Sequence, residues 1–479
     1  MLISDKRLFS FFTNRTIFQG TLCLIAGVIL GLGTVVFGPV FVLVGIVGLF
    51  IIFLSIKDPE FVILLFLCFV SELIPAQFNY RIRLGFGFLL TDFILIMLVA
   101  VVIIRLIIDK NFHFQKTSLD IPFFIFFAAI LLGIVNSVIN YGINFSYTTY
   151  EARMFLYYMF FFPVTNLIRT QKQIKRMFWG SIVIAIAISI DLIFRVVSHQ
   201  SSYSPIDGDG VVRIFRPGVF VIFVILIIYM TYTSVWSKSP SRLVSSIIFL
   251  LFCVGITTTL ARNLLVSFGL SFVILILLLR KKEFPRFIGN FLLIFVVGMC
   301  IYLFLKLSGM SGFVDRYVVA GLNRISSMFS SVVFTSQETA VSRLNEISYA
   351  MEQIFKSPIW GIGFKNSYRP QFYLGDPNTS YIHNAYISIW LKTGLLGLVS
   401  FSWILISFII RGFKHFRVIK DDFLRSLFLG ITLAFLALIF TNIVAPSFVE
   451  SLNVAFYSII LGLSEVIWRQ QSKSVPNGV

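Results

Sequence analysis

The chain has 479 residues, of which 58% are hydrophobic and 13% are charged, and its mean hydropathy is +0.94. A water-soluble domain could not hide so much apolar surface, so the composition excludes one and predicts an integral membrane protein. The formal net charge of +18 implies no nucleic-acid partner, because membrane proteins collect Lys and Arg in their cytoplasmic loops.

Apolar runs of about 17 to 22 residues recur along nearly the whole chain, and each can cross about 30 Å of hydrocarbon as a helix. The sequence therefore predicts an all-α polytopic membrane protein with about 14 (12–14) transmembrane helices, forming one transmembrane domain over residues 1–479. The predicted spans are residues 17–36, 38–56, 60–78, 88–108, 121–139, 153–168, 177–197, 218–236, 242–259, 263–280, 287–306, 384–410, 424–444 and 450–468.

The distribution of basic residues predicts the orientation. With the N-terminus in the cytoplasm, the inner segments hold 24 of the 39 Lys and Arg, and both termini lie inside, as the positive-inside rule requires. Of the 15 basic residues that remain outside, 11 are arginines. Because the planar guanidinium binds phosphate oxygens in pairs, this bias predicts an anionic ligand at the outer face, with phosphate as the first candidate. The alternative is that arginines such as Arg81, Arg83 and Arg195 contact lipid headgroups, and Arg195 can also pair with Asp191 four residues earlier.

Two outer loops are long enough to carry function. The first, Ser198–Pro217, is rich in turn residues and becomes basic at Arg213 and Arg216. The second covers residues 307–383, between the eleventh and twelfth spans. Within it, an amphipathic helix is predicted from Ser342, a plausible N-cap, to Pro358, which ends it. The apolar face of this helix holds Leu344, Ile347, Met351, Ile354 and Phe355, and the polar face holds Arg343, Glu346, Glu352 and Lys356.

His383 is the strongest candidate for proton transfer. Of the four histidines, the predicted topology places only His199 and His383 outside. Asn384 and an apolar helix follow His383, and the helix dipole disfavours a charged imidazolium there, which leaves a neutral ring able to accept a proton. The alternative is a polar anchor at the membrane interface.

Arg262 lies in a very short turn, TTTLARNLL, between two apolar spans. A charge drawn toward the bilayer centre costs about 2.5 to 3.5 kcal/mol, which an anionic ligand would offset. The sequence has no GxxxxGK[ST], no HExxH and no outer His/Cys/Asp cluster with metal spacing, so we expect neither a metal nor another cofactor.

Residues 260–400 resemble the bacterial O-antigen ligase and O-antigen polymerase superfamily. The matching segments, in order, are TTTLARNLLVSFGL, SRLNEISYAMEQIFKSPIWGIGF and HNAYISIWLKTGLLGL. Members of the superfamily often have Ser before the first arginine, whereas this chain has Ala261.

The resemblance implies a metal-independent glycosyltransferase in the bacterial cytoplasmic membrane, with its active site facing the periplasm. Its substrates would be a glycan linked to undecaprenyl diphosphate and an acceptor, which is another glycan or a lipid A core. Arg262 and Arg343 would bind the diphosphate with help from Arg213 or Arg216, and His383 would serve the acceptor. Membrane lipids, and for a polymerase a chain-length regulator protein, are the other implied partners.

The number of predicted spans and the long loop favour an O-antigen polymerase over an O-antigen ligase, because ligases of the superfamily more often resemble twelve-span proteins. A transporter of lipid-linked sugars or anions is the alternative from another class. It would predict internal repeats and functional charges near the membrane midplane, for which Asp191 is the best candidate.

Overall fold

The computed structural model describes residues 39–75, 79, 81–82, 88–198, 214, 216–236, 241–326, 338–370, 379–450 and 452–473. The first predicted span, residues 17–36, lies outside these residues, as do Arg83, His199 and Arg213.

The described chain is helical apart from two short antiparallel strands, β1 (Arg81–Ile82) and β2 (Phe88–Leu89), in which Arg81 pairs with Leu89. The first eight helices are α1 (Pro39–Lys57), α2 (Pro59–Val70), α3 (Leu90–Ile108), α4 (Asp120–Ile139), α5 (Phe145–Leu156), α6 (Phe161–Leu167), α7 (Gln171–Val197) and α8 (Gly218–Val235). The others are α9 (Arg242–Thr257), α10 (Arg262–Leu278), α11 (Phe284–Leu305), α12 (Ser311–Ser326), α13 (Glu338–Lys356), α14 (Ala385–His415), α15 (Asp422–Thr441) and α16 (Asn453–Lys473). A 3₁₀ turn, Tyr157–Phe160, joins α5 to α6, and a π turn, Lys306–Met310, joins α11 to α12.

The helices confirm the all-α class. Among the described residues, seven helices are long and apolar enough to cross a membrane, namely α3, α4, α7, α8, α11, α14 and α15. Shorter apolar helices, including α2, α9 and α10, accompany them. The chain is therefore a helical membrane protein, whereas the count of fourteen spans and the place of the long loop among them stay predictions.

Contacts between residues divide the chain into two compact units, residues 1–62 and 63–479. The described part of the first unit comprises α1 and the beginning of α2, and the second unit contains all the later elements. The single transmembrane domain over residues 1–479 stays a prediction.

The core of the second unit forms around α8, which is buried over its whole length and packs against α15. Such a helix must be apolar on every side, as the sequence VFVIFVILIIY is. By contrast, no residue in the apolar window of α11 is buried. Hydropathy alone does not distinguish a helix buried in the core, such as α8, from one on the outer surface, such as α11.

Helix ends from distant parts of the sequence meet at what we call the histidine end, defined by Ser137, Asn384 and Asn442. The Ala385 N–H donates to the Asn442 carbonyl (3.1 Å), which joins the start of α14 to the end of α15. The Phe364 N–H donates to Ser137 Oγ (2.6 Å), which attaches the loop after α13 to α4.

The other ends of the same helices meet at what we call the opposite end. Arg411 Nη1 donates to Ser118 Oγ (2.6 Å) and to Glu465 (2.9 Å), which ties α14 to the start of α4 and to α16. Arg425 pairs with Glu283, and both side chains are nearly inaccessible. Buried arginine–glutamate pairs therefore join the helices at the opposite end.

Several predicted boundaries change, including those of three spans. The span predicted over residues 60–78 is helical only to Val70, and the one predicted over 153–168 is divided by the 3₁₀ turn at Tyr157–Phe160. The helix predicted to begin at residue 450 begins at Asn453, which leaves Glu450 in the loop after α15.

Candidate active site

His383 lies directly before α14 at the histidine end. Asn384 caps this helix, because its side chain accepts hydrogen bonds from the Tyr386 and Ile387 N–H groups (both 3.0 Å). The backbone N–H of His383 donates to Glu346 Oε2 (3.0 Å), and His383 Nδ1 lies 3.0 Å from the same oxygen. Since a carboxylate only accepts, we assign the ring hydrogen to Nδ1, which leaves a lone pair on Nε2. The side chain is 35% exposed, so a substrate can reach it.

Glu346 holds His383 in place, although its position on the predicted helix suggested exposure. Its side chain is 1% exposed, and its Oε1 lies 3.9 Å from Nε of the buried Arg369. The buried face of α13 follows Glu346, Ala350 and Ile354 at intervals of four residues. Assigning Glu346 to the solvent-facing side was therefore wrong, because a buried carboxylate is tolerated where it meets cationic and hydrogen-bonding partners.

The predicted apolar face of α13 is divided between two surroundings. Leu344 is 62% exposed and Phe355 is 72% exposed, whereas Ile354 is fully buried. The buried side of the helix packs on α14, while Leu344 and Phe355 lie on its outer surface, where contact with the membrane stays a prediction. The contact with α14, rather than a surface of lipid alone, sets the orientation of this helix.

The two arginines expected to bind the diphosphate also lie at the histidine end. Arg343 is exposed on α13, three residues before Glu346, which places the two side chains on neighbouring positions of one helix surface. Arg262 is half-buried and begins α10. Ser267, about 7.5 Å further along that helix, bonds to Thr441 at the end of α15 (2.9 Å).

Arg216 reaches the same end but already has two acidic partners. Its guanidinium pairs with Glu72 (2.9 Å) and with Asp191 (3.0 Å). Asp191 also pairs with Arg195 (2.8 Å), which confirms the pairing considered from their spacing. The Ile214 N–H donates to the Thr258 carbonyl (3.2 Å), so the segment before α8 adjoins the turn before Arg262. A diphosphate would have to compete with these carboxylates for Arg216.

A polar cavity is lined in part by the two residues that directly precede His383. Its volume is about 340 Å³, and it is lined by Tyr150, Glu151, Met154, Lys365, Tyr381, Ile382, Ser388, Lys392, Val449 and Glu450. Lys392 Nζ lies 2.8 Å from Glu151 Oε1, and both side chains are largely buried. The ring of Tyr381 contacts the ring of His383 edge-on, with 4.8 Å between centroids.

Glu450 contributes the second carboxyl group of this cavity. Its burial raises its pKa to about 8; the charge of Lys392 opposes this change, and that of Glu346 adds to it. At neutral pH the carboxyl group is therefore mostly protonated. Glu450 is electrostatically coupled to Glu346, the carboxylate that orients His383.

No local sequence pattern pointed to several of these residues. Glu151, Lys392 and Glu450 come from α5, α14 and the loop after α15, and only the fold brings them together. Among the described residues, no group of three His, Cys, Asp or Glu side chains could hold a metal ion. The expectation that no cofactor is needed stays a prediction.

These features define a polytopic helical membrane protein with a carboxylate-bound histidine, arginines and a polar cavity at one end. Residues 247–402 match the family model described as O-antigen ligase. This match supports the O-antigen ligase and polymerase superfamily that the resemblance over residues 260–400 predicted, and the matched family indicates a glycosyltransferase-like enzyme. The match includes Arg262, Arg343 and His383 but not Arg216. A search of curated proteins found no match.

Proposed function

We propose that the protein is an O-antigen or surface-polysaccharide polymerase, which transfers a glycan from undecaprenyl diphosphate to a sugar hydroxyl at the outer face of the bacterial cytoplasmic membrane. The observation that carries this proposal is the bond between His383 and the buried Glu346, at the same end as Arg262 and Arg343. This arrangement supplies a base and separate cationic groups without a metal ion.

The proposed reaction is a single displacement at the anomeric carbon. His383 Nε2 takes the proton of the acceptor hydroxyl while the oxygen of that hydroxyl bonds to the anomeric carbon. The bond from that carbon to the diphosphate oxygen breaks, and its electron pair leaves with undecaprenyl diphosphate. Glu346 stabilises the imidazolium as it forms. Arg262 and Arg343 stabilise the charge on the leaving diphosphate, and Arg216 assists if the diphosphate displaces its acidic partners.

The second candidate is an O-antigen ligase, which would use the same groups and differ only in its acceptor. The family description favours it directly. A polymerase lengthens the lipid-linked glycan, whereas a ligase moves the glycan to another acceptor such as a lipid A core. Pure transport is disfavoured because Asp191 is engaged by Arg195 and Arg216 at the histidine end.

The test is transfer by the purified protein in nanodiscs, with defined undecaprenyl-diphosphate glycans as donor and acceptor and mass spectrometry of the products. We expect longer lipid-linked glycans with the wild-type protein. His383→Ala should lower kcat at least about 100-fold, because it removes the base.

His113→Ala is the matched control. His113 precedes α4 at the opposite end, and its backbone carbonyl, which this substitution keeps, accepts hydrogen bonds from Arg169 and Gln115. We expect the control to retain the wild-type rate. Full activity of His383→Ala would refute the assignment of the base, and the absence of covalent transfer by the wild-type protein would refute the proposed reaction.

A further inference from the structure

We infer that the cavity beside His383 is the binding site for the acceptor sugar, in which Glu450 and the Glu151–Lys392 pair hold sugar hydroxyls and direct one of them to His383. This inference rests on the proposed function. It assigns substrate recognition to residues that lie partly outside the family region, since Glu151 and Glu450 both fall outside residues 247–402.

The position of the cavity fits an acceptor site. Tyr381 and Ile382 line it and directly precede His383, and the ring of Tyr381 touches the imidazole. A sugar in the cavity would therefore lie next to the base. A volume of about 340 Å³ is at the lower end of the range of sites for small organic ligands.

The ion pair in the cavity is held in one geometry. Besides Lys392, Glu151 binds Ser380 Oγ (3.2 Å) and the backbone N–H of Lys365. The exposed fraction is 8% for the Lys392 side chain and 18% for that of Glu151. Because the pair is already fixed, its remaining hydrogens and lone pairs can bind hydroxyl groups without further ordering of the side chains.

The nearly balanced charge of the cavity favours a neutral ligand over the diphosphate. The Glu151 carboxylate neutralises Lys392, and a protonated Glu450 adds no charge, so only Lys365 remains as an unbalanced cation among the lining residues. Arginines outside the cavity are the better phosphate ligands. Hydroxyl-rich sugars match the paired donors and acceptors of the cavity.

Glu450 makes the site sensitive to pH. The charged groups around it are Lys392 on α14, Glu346 on α13, Glu151 on α5 and Lys365 in the loop after α13, and His383 adjoins them. Below a pKa of about 8, the carboxyl group both donates and accepts hydrogen bonds. Above it, the group only accepts, and it adds a negative charge. If the protonated Glu450 donates to a sugar oxygen, that hydrogen bond is lost as the pH rises from 7 to 9, and sugar affinity should fall with it.

The test measures binding of methyl glucoside, methyl N-acetylglucosaminide and methyl glucuronide to the full-length protein in nanodiscs, by saturation-transfer NMR without lipid-linked donor. We expect the wild-type protein to bind a neutral glycoside. Glu450→Ala should weaken this binding at least tenfold. The affinity of Glu450→Gln, whose side chain resembles the protonated acid, should change little between pH 7 and 9. In transfer assays, Glu450→Ala should raise the acceptor KM without changing the donor KM. Glu352→Gln, an exposed change on α13, is the control.

The outcomes separate this inference from the proposed function. If the wild-type protein transfers glycan but binds none of the glycosides, or if Glu450→Ala binds them as the wild type does, the acceptor site is wrong and the reaction stands. Sugar binding that depends on Glu450, without any transfer, would support the site and refute the reaction. Size-exclusion chromatography and circular dichroism verify folding, and Glu450→Gln serves as the test variant if Glu450→Ala does not fold.

Discussion

At the scale of single residues, the partner of His383 decides what the histidine can do. The sequence predicted His383 as the base and placed Arg262 and Arg343 near it, because all three lie at helix starts or in an outer loop. It could not predict Glu346, since a charged residue on an amphipathic helix is ordinarily exposed. Only the contacts of α13 with Arg369 and His383 explain its burial. Local patterns therefore predicted the candidate base but not the residue that contacts it.

Replacing Glu346 tests this arrangement. Glu346→Gln keeps the shape but removes the charge that stabilises the imidazolium, and the amide can present its NH₂ to Nδ1, which would favour the tautomer that has no lone pair on Nε2. We expect kcat to fall at least about 100-fold with the donor KM unchanged.

Glu352→Gln, on the same helix but exposed and paired only with Lys356, should behave as the wild type does. A comparison of thermal midpoints would show whether Glu346→Gln is folded. A folded Glu346→Gln protein with the wild-type kcat would mean that His383 does not depend on this carboxylate.

At the scale of helices, hydropathy located most elements and missed their irregularities. The spans predicted over residues 218–236 and 242–259 are close to Gly218–Val235 and Arg242–Thr257. The span over 153–168 is instead interrupted, and Pro163, which lacks an amide hydrogen, lies in the first turn of the helix that restarts there. Hydropathy records which segments enter the membrane but not where the backbone leaves helical geometry.

The interruption that matters for the site is at Gly394 in α14, where φ is +69° and ψ is −172°. There the Ile362 N–H donates to the Leu391 carbonyl (2.7 Å) and the Leu395 N–H donates to the Pro358 carbonyl (3.0 Å). The segment GIGF is thus docked on the kink of α14. Its backbone supports the loop that leads to Lys365.

Gly394→Ala should therefore destabilise the protein. A Cβ at this position would lie 1.9 Å from the Ile359 carbonyl oxygen, and the left-handed backbone alone costs about 1–3 kcal/mol for a residue with a side chain. We expect a lower thermal midpoint in nanodiscs and a loss of transfer activity.

Gly269→Ala is the matched control for this substitution. Gly269 lies within α10, where an added Cβ meets no atom within 4 Å. Alanine there should be neutral or should stabilise the helix by up to about 1 kcal/mol. Equal midpoints for the Gly394→Ala and wild-type proteins would show that the kink is not held by this contact.

At the scale of the whole molecule, the separation of charges gives the chain its predicted direction in the membrane. Lys281 and Lys282 join Arg411 and Arg425 at the opposite end, whereas the candidate site residues lie at the histidine end. If the positive-inside rule orients the chain, the opposite end faces the cytoplasm and the cavity opens outward. The proposed reaction requires this orientation, because its glycan acceptor is assembled outside.

Cysteine labelling can test the orientation independently of activity. The four native cysteines would be replaced by serine, and Glu352→Cys or Lys282→Cys would be added singly, since both positions are exposed and lie near the histidine and opposite ends respectively. A membrane-impermeant maleimide should label Cys at 352 in intact spheroplasts and label Cys at 282 only after permeabilisation. The reverse pattern would place the histidine and its cavity in the cytoplasm, where a lipid-linked glycan presented outside could not reach them, and would exclude the proposed polymerase even if His383 proved essential.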